Sequence, residues 1–222
     1  MSIDDYPIFD LVEQTRQSYK RVGSASLLYR NNDELWPEFT GRDLVHNGFD
    51  ICELLAQDLA RMPDVLGNQL PLCDHASDLI SLTIGGNDLL HILATVREMD
   101  KIESEAGTLQ REYAWIVDRI HRHAPSATVI CTSVFDPTDG TGQLRQDGPK
   151  VPIHLLHELN GAIARTCQER TFTKFADVSE HFAGHGLSAS GGERWFWKGS
   201  VIEPSARGAS EIRRVWLDAL GI

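Results

Sequence analysis

Residues 78–84 read Asp-Leu-Ile-Ser-Leu-Thr-Ile and stop abruptly at Gly85-Gly86-Asn87-Asp88. An apolar run this short and this continuous predicts a strand covered on both faces, the habit of parallel sheets. Parallel neighbours need helical crossovers, so one such strand already commits the chain to an α/β architecture. Two further runs fit the same sheet: residues 127–134, rich in β-branched side chains, and residues 173–178. Between and after them, helical spacing predicts helices over residues 104–123, 153–169 and 208–220, the last closed by Gly221.

The first third of the chain is less regular. Leu44-Val45-His46 reads as a short strand broken at Asn47-Gly48. Ile51, Leu54, Leu55, Leu59 and Met62 then keep helical spacing up to Pro63. Residues 9–19 suit a helix, and no strand is evident ahead of residue 44. No repeat or low-complexity tract divides the 222 residues, so residues 1–222 are expected to form one domain with a mostly parallel sheet.

Composition removes several function classes. The chain carries 21 Lys+Arg against 32 Asp+Glu, a net charge of −11. Such a surface repels nucleic-acid phosphates and anionic membranes. No apolar run approaches the roughly 20 residues a membrane helix needs. Cys52, Cys73, Cys131 and Cys167 show no Cys-x-x-Cys spacing and read as buried thiols of a reducing compartment. With no secretory pattern at the start, the cytoplasm is the expected location.

Ligands of open α/β sheets gather beyond the carboxyl ends of the strands. The Gly85-Gly86-Asn87-Asp88 turn lies at that edge. Its glycines permit close backbone approach, and Asn87 offers an amide donor of the kind that stabilises an oxyanion. Asn87 capping the next helix is an equal reading. Asn47-Gly48-Phe49-Asp50 is placed to bring a second backbone N–H to the same edge, and residues 136–150 form a loop long enough to border a site.

Three segments together resemble the SGNH, or GDSL-type, hydrolase family. Residues 79–90 (Leu-Ile-Ser-Leu-Thr-Ile-Gly-Gly-Asn-Asp-Leu-Leu) are very close to its third block, residues 45–55 are similar to its second, and residues 202–217 to its fifth. Residues 32–38 (Asn-Asp-Glu-Leu-Trp-Pro-Glu) are similar to segments that follow its first block. The resemblance implies a three-layer, flavodoxin-like sandwich hydrolysing a small-molecule carboxylic ester through an acyl-serine, with no cofactor and no metal. By position, Gly48 and Asn87 match two of the family's three oxyanion donors.

Two departures accompany the resemblance. The first-block Gly-Asp-Ser is absent. The best alignment sets residues 1–5 immediately after that block, so the first strand and its serine are expected upstream of residue 1. Gly23-Ser24-Ala25-Ser26 lies too close to Trp36-Pro37 to replace it, and Ser2 is the substitute nucleophile within the chain. In the fifth block, Ser200 stands where the family has Asp, and Glu203 where it has His. His185 in the preceding loop is then a candidate base with Glu203 orienting it, or a loop histidine with no role.

The remaining candidates carry bland readings beside the sharp ones. His154 and His157, beside Glu158, are a metal pair or a solvated helix face. His121 and His123 close a helix where cations suit the dipole. Trp195-Phe196-Trp197 line an acyl pocket or fill the core. Arg207, Arg213 and Arg214 read as a solvated face of the last helix. Two other functions remain compatible with the fold: a binding module that keeps the cleft without a nucleophile, and an acyltransferase.

Overall fold

The computed structural model describes residues 4–145 and 147–222. Three strands, β1 (Leu79–Leu82), β2 (Thr128–Thr132) and β3 (Thr173–Ala176), pair in parallel in the order β1-β2-β3. The three expected strand regions therefore form the sheet, each a little shorter than its apolar run.

Side-chain alternation across β2 sorts the two helical layers. Val129 and Cys131 enter one core with α4 (Gly86–Thr95), α5 (Met99–His123) and α6 (Ile153–Gln168). Ile130 enters the other, with α2 (Ser24–Tyr29), α7 (Val178–His181) and α8 (Ala206–Leu220). Trp216 of α8 is fully buried on that second face, and its indole N–H donates to Thr132 Oγ1 at 2.9 Å. The result is a three-layer α/β/α sandwich.

Helix α1 (Asp5–Thr15) packs on α8 and supplies part of its N-terminal cap. Asp10 Oδ2 accepts from the Ala206 N–H at 2.8 Å, while Ser205 Oγ accepts from the Gly208 N–H. Two donors left open by the first turn of α8 are thus satisfied, one of them by a residue nearly the whole chain away. Gly221 ends the helix in the left-handed conformation, as its sequence position suggests.

Residues 44–62 differ from expectation. Leu44 and Val45 form no strand; their N–H groups donate to the Leu28 and Tyr29 carbonyls at the end of α2. Residues 51–61 form no helix, and Ile51 and Leu59 are 82% and 75% exposed. Regular structure begins only at the single turn α3 (Met62–Asp64). The physical reason lies on the sheet. A strand needs a neighbour for its backbone groups, and an amphipathic helix needs an apolar surface to lie on. β1 pairs with β2 on one side, and among the described residues no strand lies on its other side.

The last helix also corrects the sequence reading. Arg213 is not solvated: it is 0% exposed, its guanidinium lies 3.5 Å from the Phe39 ring centroid, and Nη1 donates to Asn31 Oδ1 at 2.7 Å. Burial lowers its pKa to about 9. Arg207 is exposed, as expected, and Arg214 half-buried; both grip buried Glu211, at 2.8 and 2.9 Å. His181 Nε2 adds a third contact at 2.9 Å. Burial works against ionising Glu211, but these partners outweigh it and hold the carboxyl down at about 2. Cys131 and Cys167 are buried thiols as expected, whereas Cys52 is exposed and Cys73 half-buried.

Candidate active site

The turn after β1 is shaped by Gly85, whose φ of +109° is open to glycine but strained for other residues. A Cβ there would also sit 3.0 Å from Leu159 Cδ2. Helix α4 starts directly behind it, and two side chains of its first turn bind the end of the irregular segment. The Asn87 amide donates to the Ala60 carbonyl at 3.0 Å, and buried Asp88 accepts the Met62 N–H with both oxygens at 3.0 and 3.2 Å. Asn87 therefore does not cap α4; its amide is bound to the Ala60 carbonyl instead.

Beside this turn lies a cavity of about 120 Å³. Its walls are largely apolar, including Ile84, Leu89, Leu93, Phe135, Leu156 and Ile202, while Gly85, Gly86 and Asn87 form part of its rim. Asp136, Pro137, Thr138 and Leu144 of the 136–150 loop close another side, as the loop's length suggests. Two carboxylates hold these loops. Asp136 accepts from the Thr138 and Gly140 N–H groups, and Asp139 accepts from the Gly184 N–H at 2.9 Å and the Gly186 N–H at 3.1 Å. The Asn160 amide pins Val134, another wall residue, by hydrogen bonds of 2.8 Å to both its N–H and its carbonyl.

Glu203 follows the wall residue Ile202. Its carboxyl is buried, and Oε2 has no hydrogen-bond partner among the described residues. Burial, with the charge of Asp58 adding to it, pushes the carboxyl up to about 7. Tyr6 stands nearby, donating to Asp58 Oδ2 at 2.7 Å. A carboxyl of this kind holds or releases a proton near neutral pH, as an imidazole does.

The other expected site residues are placed differently. Gly48 has a φ of +87°, and its N–H donates to the Val45 carbonyl at 3.2 Å. His185 is not hydrogen-bonded to Glu203: its ring stacks on Trp195 at 3.5 Å and its Nδ1 lies 2.6 Å from the Glu193 carbonyl oxygen. Ser2 lies outside the described residues. Trp195 and Phe196 belong to the core on the α8 face, and Trp197 packs against Tyr6 and Phe9; none of the three lines the cavity. His121 stacks on Phe172 and His123 on His75, while His154 faces Glu103 at 4.0 Å. Sequence reasoning missed Asp58 and Tyr6 as neighbours of Glu203; the long sequence separation left no local signal.

The comparisons with known proteins bear on this arrangement. The family model of the GDSL-like lipase/acylhydrolases matches residues 22–209. The chain belongs to that family. A phospholipase A1 from Streptomyces albidoflavus superposes with a TM-score of 0.53 at 20% identity, covering 98% of this chain and 95% of that one. An acetyl xylan esterase from Geobacillus stearothermophilus gives a TM-score of 0.59 at 16% identity over 90% of this chain and 81% of that one. A carbohydrate esterase of family 3 from Talaromyces cellulolyticus gives 0.54 at 14% identity over 84% and 87%. At these identities the likeness shows the fold. No match to a curated protein was found.

Proposed function

We propose that this GDSL-family chain hydrolyses carboxylic esters whose acyl group enters the apolar cavity beside Asn87. The observation that carries the reading is the apolar cavity lined by the Gly85-Gly86-Asn87 turn and by Ile202, the residue before buried Glu203. The chemistry is acyl transfer through a serine nucleophile, for which Ser2 is the candidate within the chain. The serine oxygen adds to the ester carbonyl as its proton passes to the general base. The tetrahedral oxyanion is held by the Asn87 amide and the Gly48 N–H, and the alcohol leaves with a proton returned by that base. Water then repeats the sequence on the acyl-enzyme and releases the acid. Glu203 is the better placed base, because burial brings it near neutrality while His185 is committed to Glu193 and Trp195.

A second reading is favoured by a specific observation. Both oxyanion donors are internally engaged, Asn87 with Ala60 and Gly48 with Val45, as in a module that binds without catalysing. A single experiment separates the two. The chain, alone and extended by the residues encoded in frame upstream, is treated with a fluorophosphonate and weighed intact, then assayed on nitrophenyl esters of increasing acyl length. Hydrolysis favouring acyl chains longer than acetyl, with one adduct per chain, supports the esterase. Absence of adduct and turnover in both forms rejects it in favour of the binding module.

A further inference from the structure

The two strands that frame the apolar cavity separate at their ends, and one side chain stands in for the pairing they lose. Along β2 the backbone groups alternate in direction. The Thr128 N–H donates to the Asp78 carbonyl on the β1 side, while Val129 and Ser133 donate to Phe172 and Ala176 on the β3 side. Val134 therefore turns its N–H and carbonyl toward β1. Leu82 is level with Cys131, so Val134 is level with Gly85, where the chain already bends into α4. Had the ladder continued, the Val134 N–H would meet the Ile84 carbonyl and its carbonyl the Gly86 N–H. Both groups bond to a side chain of α6 instead. Asn160 Oδ1 accepts the Val134 N–H and Asn160 Nδ2 donates to the Val134 carbonyl, each at 2.8 Å. One amide satisfies the two peptide groups that the end of β1 abandons.

The gap between the two strand ends is the cavity. Thr83, Ile84 and Gly86 line it from the β1 side, and Val134, Phe135 and Asp136 from the β2 side. Helix α6 braces both sides. Leu159 lies against Gly85, where a Cβ would come 3.0 Å from its Cδ2, and Asn160 holds Val134. Leu156, one turn earlier on the same face, is itself part of the wall. Clearance is small, since a Cβ on Gly86 would sit 3.2 Å from Val134 Cγ1. A modest shift of Val134 therefore changes the width of the cavity.

We infer that Asn160 is the positioning residue that sets which acyl groups the cavity admits, by holding the ends of β1 and β2 apart. The inference rests on the esterase reading above for its substrate, an ester with a short saturated acyl chain. An apolar cavity of ~150 Å³ takes a benzene-sized guest, so one of about 120 Å³ suits an acyl chain of about four to six carbons. Acetyl leaves most of that space empty, and a long fatty chain exceeds it. Without the amide, the nearest partners for the Val134 backbone lie across the cavity on Ile84 and Gly86, and the gap narrows.

The test uses Asn160→Leu, which keeps the size and removes both hydrogen bonds, and Asn160→Asp, which keeps the acceptor alone. Binding of sodium hexanoate and sodium acetate is read from the methyl NMR signals of Val134 and Leu156. Hydrolysis of nitrophenyl hexanoate and nitrophenyl acetate is measured beside it, and thermal melts confirm folding. In the parent, hexanoate should move both signals and acetate neither. Asn160→Leu should weaken hexanoate binding and lower kcat/KM for the hexanoyl ester by about tenfold or more, with the acetyl ester changed by less than about threefold. Asn160→Asp should fall between, and it carries the comparison where Asn160→Leu does not fold. Loss of equal size on both esters, hexanoate binding unchanged by either variant, or no hexanoate binding in the parent overturns the inference. Hexanoate binding that depends on Asn160 in a chain that turns over neither ester upholds the positioning role and removes the esterase reading. Ester turnover whose preference for acyl length ignores Asn160 keeps the esterase and removes the positioning role.

Discussion

Two stretches of this chain carry equally plain hydrophobic patterns and meet opposite fates. From β1 onward, short apolar runs become paired strands and spaced apolar residues become helices buried on both faces of the sheet. Between residues 44 and 62, a strand-like run and a helix-like run become irregular chain with exposed leucines and an exposed isoleucine. Local pattern is the same in kind; what differs is whether a partner surface is there to receive it. Secondary structure in this fold is a property of the sheet more than of the segment.

The comparison breaks most visibly under mutation. Trp216→Ala, on the fully buried face of α8, should cost about 3–5 kcal/mol in urea unfolding. Ile51→Ala and Leu59→Ala should each change stability by no more than ~0.5 kcal/mol. Comparable losses at the two kinds of position would mean that residues 51–61 are packed in solution.

The buried carboxyls sharpen the contrast through pH, with opposite signs. Glu203 has its folded pKa raised to about 7, so between the ordinary carboxylate pKa and 7 the folded state binds the extra proton. Its contribution to stability therefore falls as pH rises through that window, by on the order of 2 kcal/mol after allowing for partial screening. Glu203→Gln should flatten the slope between about pH 4.5 and 7. Glu211, held down at about 2, stabilises fully above its ordinary pKa, and that share is lost as pH falls toward 2. Thermal melts of Glu211→Gln should show less acid sensitivity there than the parent.

Smaller still is the cap. Asp10→Ala removes one acceptor from the first turn of α8 and should cost about 1–2 kcal/mol. In any form that turns over ester, Asn87→Ala should lower kcat by about 10²–10³. A smaller change would mean that the amide serves only to hold Ala60.

What the sequence discloses follows the same division. The three strands, the long helices and the Gly85-Gly86-Asn87 turn are legible because period and punctuation coincide with pairing and burial. The apolar cavity is half legible: its loop is announced by length and glycine content, but its walls come from Leu156 and Ile202, far apart in the chain. Burial of Arg213 is not legible, since it depends on Phe39 and Asn31 more than 170 residues earlier. Nor is the neutral-range pKa of Glu203 or the separation of His185 from it. Both are set by three-dimensional surroundings that no local motif encodes.

Among the described residues, β1 is paired with β2 on one side and has no strand on the other. Residue-resolved hydrogen exchange on the 222-residue chain tests this directly. Ile80 and Leu82, bonded to β2, should exchange slowly, and Leu79 and Ser81, turned away from it, should exchange fast, an alternation along four consecutive residues. Equal protection at all four, independent of protein concentration, would contradict the account.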